Sequence, residues 1–293
     1  YKRQLMDSGY LRPFLESGPF SLFSGTGVTE RPDTLCAKVS EGRIAILVDG
    51  SPYAILLPCL FSENFQSMDD YAERPYYAVF IRLIKYLAFF LTILLPGCYV
   101  AAVNFHPELI PDQLLFRIAE AEQGMAFPLM FQALLIHFIY ELMREAGLRL
   151  PRPVGHAVSI IGALVIGDAA VTAGLISTPM VMVVALTTIS SFVIPSLYEP
   201  VTLLRLLFIL LGGTLGLYGV VLGLAFVGVN LCSVTVLGVP ATSPETPLSL
   251  YSLRDTLIRV GWRQLGQEQF IISRTAGADQ NGEPADQNGE GQP

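Results

Sequence analysis

Tyr86-Leu-Ala-Phe-Phe-Leu-Thr-Ile-Leu-Leu-Pro-Gly-Cys-Tyr-Val-Ala-Ala-Val-Asn-Phe105 is a run of twenty residues without a charge. That is the length a helix needs to cross about 30 Å of hydrocarbon. Arg82 and Lys85 stand just before it, where long basic side chains reach the headgroups and mark a cytoplasmic end. Pro96-Gly97 in its middle is expected to kink the helix. The stretch after it, Asn104 to Gly124, is polar and net acidic, as an outward-facing segment would be.

Further apolar runs follow. Met125 to Met143 could enter a membrane, but His137, Glu141, Arg144 and Glu145 fall on one helical stripe. The pattern suits an interfacial or bundle-facing amphipathic helix. Val154 to Ile176 is apolar and rich in small residues, and Ser177-Thr178-Pro179 separates it from Met180 to Tyr198 by a tight turn. Leu203 to Val234 is longer than one crossing needs and carries Arg205 at its head. Arg254, Arg259 and Arg263 beyond it again indicate the cytoplasm. Four crossings place both ends there, and a fifth would put the C-terminal arginines outside.

Upstream of residue 80 the chain is mixed in character. Arg43-Ile-Ala-Ile-Leu-Val48 and Tyr53-Ala-Ile-Leu-Leu57 flank Asp49-Gly50-Ser51-Pro52, two β-prone runs about a turn that glycine closes, which predicts a hairpin. Glu30-Arg31-Pro32-Asp33 opens a short helix reaching Ser40. The chain starts at Tyr1 without a signal peptide's apolar core and reads as a piece of a longer protein.

The fold expected is a mainly α integral membrane protein. It has about four transmembrane helices and an interfacial amphipathic helix, preceded by a small αβ cytosolic segment. The divisions fall at 1-79 (the last part of a cytosolic αβ domain), 80-240 (the transmembrane domain), 241-275 (a cytosolic tail) and 276-293. The last is a low-complexity repeat, Ala278-Asp-Gln-Asn-Gly-Glu-Pro and Ala285-Asp-Gln-Asn-Gly-Glu-Gly, which is expected to be disordered.

Composition agrees. Of 293 residues 52% are hydrophobic and 15% charged, and mean hydropathy is +0.52; soluble domains are nearer one quarter charged. The formal net charge is -7, with no basic patch interleaved with aromatics, so nucleic acid is not an expected partner. Cys36, Cys59, Cys98 and Cys232 have no short spacing, and His106, His137 and His156 do not cluster. No disulfide framework, metal site or other cofactor is expected.

Candidate sites are therefore faces of helices. Gly212, Gly216, Gly219 and Gly223 lie at i, i+4, i+7 and i+11, a stripe for close packing either within the subunit or against another. Gly155, Ser159, Ala163 and Gly167 repeat every fourth residue. That face either packs or lines a pore, with Ser159 offering a hydroxyl and Val158 and Ile161 or Ile166 forming an apolar gate beside Gly162. Asp168 is either an intramembrane acid with a function or an interfacial one. Glu141 and Arg144 can pair on a solvated face. Neither Ser159 nor Ser190 has a nucleophile's companions, and enzyme activity is not expected. A secondary transporter would show repeated halves with paired broken helices, which are missing here; it is the alternative reading.

Several stretches together resemble a known family: Glu30-Arg-Pro-Asp33, Glu41-Gly-Arg-Ile-Ala-Ile-Leu-Val-Asp-Gly-Ser-Pro52, Phe65-Gln-Ser67 with Asp70-Tyr-Ala-Glu-Arg74, Arg144-Glu-Ala-Gly-Leu-Arg-Leu-Pro-Arg-Pro-Val-Gly155, and above all Val158-Ser-Ile-Ile-Gly-Ala-Leu-Val-Ile-Gly167. Over residues 25 to 260 the chain resembles the A subunit of bacterial spore germinant receptors, the GerA family. The resemblance implies a multi-pass protein of the spore inner membrane, working with a permease-like B subunit and a lipoprotein C subunit. It implies nutrient sensing coupled to release of monovalent cations, and a homo-oligomer of A subunits in lipid that forms the ion-conducting pore. Nutrient recognition is associated in that family mainly with the B subunit.

Overall fold

The computed structural model describes residues 7–16, 21–151, 165, 167–243 and 256. It is mostly helical with a small sheet, and it divides into two compact units: Tyr1–Leu83 with Gly228–Pro293, and Ile84–Val227.

In the first unit, α1 (Pro32–Ser40) begins with proline at its first turn and Asp33 beside the helix N-terminus, both favourable there. The expected hairpin is present: β2 (Ile44–Leu47) and β3 (Ala54–Leu57) pair antiparallel with Ile46 opposite Ile55. Gly50 turns the chain at φ +83°. A third strand, β1 (Gly27–Thr29), pairs with the other side of β3. All four residues of β3 are buried, as a central strand covered on both faces requires.

One cover comes from far along the chain. After the last helix, β4 (Thr235–Val236) and β5 (Val239–Pro240) form a tight hairpin, and Val236 packs in one core with Ile55 and Leu57. The Phe61 N–H donates to the Ala241 carbonyl at 2.7 Å, and the Leu22 N–H to Asn230 Oδ1 at 3.1 Å.

In the second unit, α2 (Pro75–Phe105) enters from the first and stays one helix through Pro96. The polar stretch after it folds largely into α3 (Asp112–Glu122), with Ile118 buried. The amphipathic segment is α4 (Leu129–Arg149), and Gln132, Ala133 and His137 on it are buried, so the His137 end of its polar stripe turns inward while Glu145 stays exposed. Val100, Leu129, Met180 and Ile209 share a core with Ile176.

Two expectations need correction. Met180 to Tyr198 is not helical throughout: α5 (Thr178–Ser191) has 14 residues and the chain then turns through Pro195–Leu197, because proline supplies no N–H to continue a ladder. The stretch from Leu203 to Val234 is not a straight helix either. Within α6 (Tyr198–Ser233), Gly216 has φ 63° and ψ -150°, a conformation open essentially to glycine alone. There the chain reverses. A side chain at Gly223 would lie 2.9 Å from Phe208 Cε1, although the two would be about 22 Å apart along a straight helix. Residues 198–215 and 217–227 are thus two arms laid against each other within this unit.

Among the described residues, two stretches are long and apolar enough to cross a membrane, Pro75–Phe105 and Pro195–Ser233, where four crossings were expected. The expected span from Val154 to Ile176 lies mostly outside the described residues, as do nearly all of 241–275 and the whole repeat of 276–293.

Candidate functional site

The most polar place inside the helical unit lies where α4 meets the first arm of α6. Arg205 is fully buried in an otherwise apolar helix, and its Nη2 donates to Glu141 Oε1 at 2.7 Å. The Tyr198 hydroxyl, on the same arm, donates to that carboxylate at 2.7 Å. Arg144, one turn beyond Glu141 on α4, lies 3.7 Å from Glu141 Oε2 and over the Tyr198 ring, 3.3 Å from its centre. One carboxylate thus answers two guanidinium groups and a phenol. Such a cluster costs desolvation energy, and a buried charge stays only where it is paired and hydrogen-bonded. His137, one turn earlier on α4, is fully buried, and its Nδ1 donates to the Ala133 carbonyl at 2.8 Å.

The sequence pointed to Glu141 and Arg144 as a solvated pair. The structure instead turns Glu141 inward to Arg205, with 24% of the Glu141 side chain exposed and none of Arg205. The signal for Arg205 was present, a single arginine within an apolar run. Its partner lies 64 residues away, and no helical periodicity points to it.

The glycines named from sequence act at several contacts, not one. A Cβ on Gly212 would come within 2.3 Å of the Gly97 carbonyl oxygen on α2, so α2 and the first arm touch backbone to backbone. Gly216 is the reversal itself, and Gly219 faces Leu211 across the two arms. The single stripe presupposed an unbroken helix. Of the proposed pore residues, Val158, Ser159, Ile161, Gly162 and Ile166 lie outside the described residues. Asp168 is described, helical and not enclosed, and nothing stands within 4 Å of a Cβ placed on its neighbour Gly167.

The first unit has an ionic centre of its own. Arg43 is buried against Glu63, which also accepts from Lys38 at 2.9 Å, and Arg43 donates to the Pro58 carbonyl at 3.0 Å. Burial, followed by the Arg43 charge, holds the Lys38 amine below its usual range. On the surface, hydrogen bonds from Arg31 and from the Thr34 N–H lower the Asp33 carboxyl to about 2. Among the described residues no group of three or more His, Cys, Asp or Glu side chains could hold a metal ion.

A sequence model described as Bacillus/Clostridium GerA spore germination protein matches residues 2–269. The chain belongs to this family. Among curated relatives, the GerA-family chain is 43% identical over 287 residues to spore germination protein KA of Bacillus subtilis (strain 168), covering 96% of this chain and 53% of that protein. It is 38% identical to the uncharacterized membrane protein YfkQ of the same organism, over 93% of this chain and 54% of YfkQ. It is 36% identical to spore germination protein GerLA of Bacillus cereus, over 87% and 52%. The chain spans about half the length of the curated relatives it matches. No solved structure matches it.

Proposed function

We propose that this chain belongs to an A-type subunit of a spore germinant receptor, embedded in the membrane by its helical unit. Acting with a permease-like and a lipoprotein partner, it couples nutrient sensing to release of monovalent cations. The observation that carries this reading is the family match across nearly the whole chain. The outer surface of α2 supports the membrane part. Phe80, Leu83, Leu87 and Phe90 recur at helical spacing, all exposed, with Leu87 57% so, an apolar stripe that water would not favour.

For the cation path we propose the face of the segment 154–168 at the centre of an oligomer of A subunits. Val158, Ile161 or Ile166 would form an apolar gate, with Ser159, Gly162 and Asp168 along the same path. The space beside Gly167, clear of any described residue, and the exposure of Asp168 support a face that another subunit can approach.

The test is to express the full-length protein with its two partner subunits in spores lacking germinant receptors, and to follow cation release on nutrient addition. Release that depends on all three subunits is expected. A complex that accumulates normally but answers no nutrient refutes the reading. Val158→Ala, Ile161→Ala and Ile166→Ala should leak cations without nutrient at unchanged protein level, and loss of protein in every variant would refute the pore assignment.

A further inference from the structure

Hydrogen bonding at the α4–α6 contact is incomplete. Arg205 is fully buried, yet its Nε and Nη1 find no partner among the described residues. His137 is equally buried, and its Nε2 has none among them either. Because Nδ1 gives its proton to Ala133, Nε2 of the neutral ring is a lone-pair acceptor. His137 and Glu141 lie one helical turn apart on the same face, so the imidazole stands beside the carboxylate that holds Arg205. Charge is also unbalanced, since Glu141 answers two arginines. Buried polar atoms left in this way each cost about 1–3 kcal/mol, more when charged.

What would complete the site must accept from a guanidinium and donate to an imidazole. A carboxylate or halide can only accept, and an ammonium can only donate. Water does both. We propose that the contact holds an internal water site, with water accepting from the Arg205 guanidinium and donating to His137 Nε2, so that a hydrated ion pair joins α4 to the first arm of α6. Buried waters typically make about three hydrogen bonds to groups otherwise unsatisfied, and these two side chains with Glu141 supply them.

A contact bridged by water and one ion pair rearranges more readily than interlocked apolar side chains. This is therefore the place where α4 and α6 can shift when the receptor is triggered. That role rests on the function proposed above; the site itself does not.

Hydroxyl-radical footprinting by radiolysis of the full-length protein tests the site, since radicals formed from bound water mark side chains that bulk solvent cannot reach. His137, fully buried, should be oxidised, and Phe208, as buried as His137, should not; Tyr140, half-buried with its ring centre 5.9 Å from the Arg205 guanidinium carbon, should be oxidised beyond what its own exposure gives. In His137→Phe, whose ring fills the site, the Tyr140 label should fall to the level its own exposure gives; in His137→Gln, which keeps an acceptor, it should stay at the wild-type level. Labelling of His137 no greater than that of Phe208, or a Tyr140 label undiminished in His137→Phe, overturns the site. If His137→Phe fails to accumulate, the wild-type comparison with Phe208 still decides. Normal nutrient-triggered cation release by an abundant His137→Phe receptor overturns the role in triggering while leaving the site in place.

Discussion

Replacing Glu141 with alanine removes the carboxylate that Arg205 touches. Arg205 stays fully buried, because it sits on the inner face of the first arm with Leu204, Phe208 and Ile209 around its helix. Deleting one partner of a buried pair typically costs about 3–5 kcal/mol, since the remaining charge is desolvated and unpaired. The half-buried Tyr198 hydroxyl also loses its acceptor, but it can turn to solvent and adds little. At roughly 2–4 °C per kcal/mol, Tm should fall by about 10 °C. Thermal unfolding of the purified full-length protein in detergent measures this. The double variant Glu141→Leu with Arg205→Met should recover most of the loss, because apolar replacements of a buried pair are often neutral or better. Glu141→Gln, which keeps an acceptor, should lie between. If Glu141→Ala melts within about 1 kcal/mol of the wild type, the pair is not the buried contact described here.

Gly50→Val should destabilise the first unit by about 1 kcal/mol or more through its positive φ alone, since nothing stands within 4 Å of a Cβ there; protease resistance of that unit reads the effect, and unchanged resistance refutes the turn. Gly212→Val should be more severe, because its Cβ would meet the Gly97 carbonyl oxygen at 2.3 Å, and overpacking costs about 1–3 kcal/mol; a full-length variant that melts like the wild type shows that α2 and α6 do not touch there. The lowered Asp33 carboxyl contributes stability that is complete above its ordinary value of 3.8 and lost as pH falls towards about 2; titration by NMR should find its midpoint well below that of an unpaired aspartate, and Arg31→Gln should raise it part of the way, since the Thr34 N–H still donates. Single cysteines at the exposed positions Ser40 and Leu237, in a cysteine-free background, should be labelled from the same side of a membrane; labelling from opposite sides would break the first unit apart.

What the sequence made legible was local. The hairpin around Gly50 and the helix opened by Pro32 rest on turn and capping chemistry spanning a few residues, and both are present. α2 was read from an unbroken apolar run. The misses are of two kinds. β1 has three residues and β4 and β5 two each, too short to show a period. The others are long-range. Gly216 could be seen as a glycine, but its φ could not be read from spacing, so four glycines on two arms looked like one stripe. Arg205 looked like the head of a span because nothing within its own helix could answer its charge. The answer, Glu141, lies on another helix.

The docking of β4 and β5 sets an order on the making of this protein. The helical unit is an insertion within the first unit, leaving it after Leu83 and rejoining it at Gly228. Ile55 and Leu57 emerge early from the ribosome, but Val236, which shares their core, comes only after every described helix has been made. Until then β3 has apolar side chains without their cover, in a nascent chain that is a substrate for chaperones and proteases. The sheet can close only on a chain that has gone out through its helices and come back. A premature stop before Val234 would therefore remove more than a tail: it would leave the beginning of the described chain unfinished.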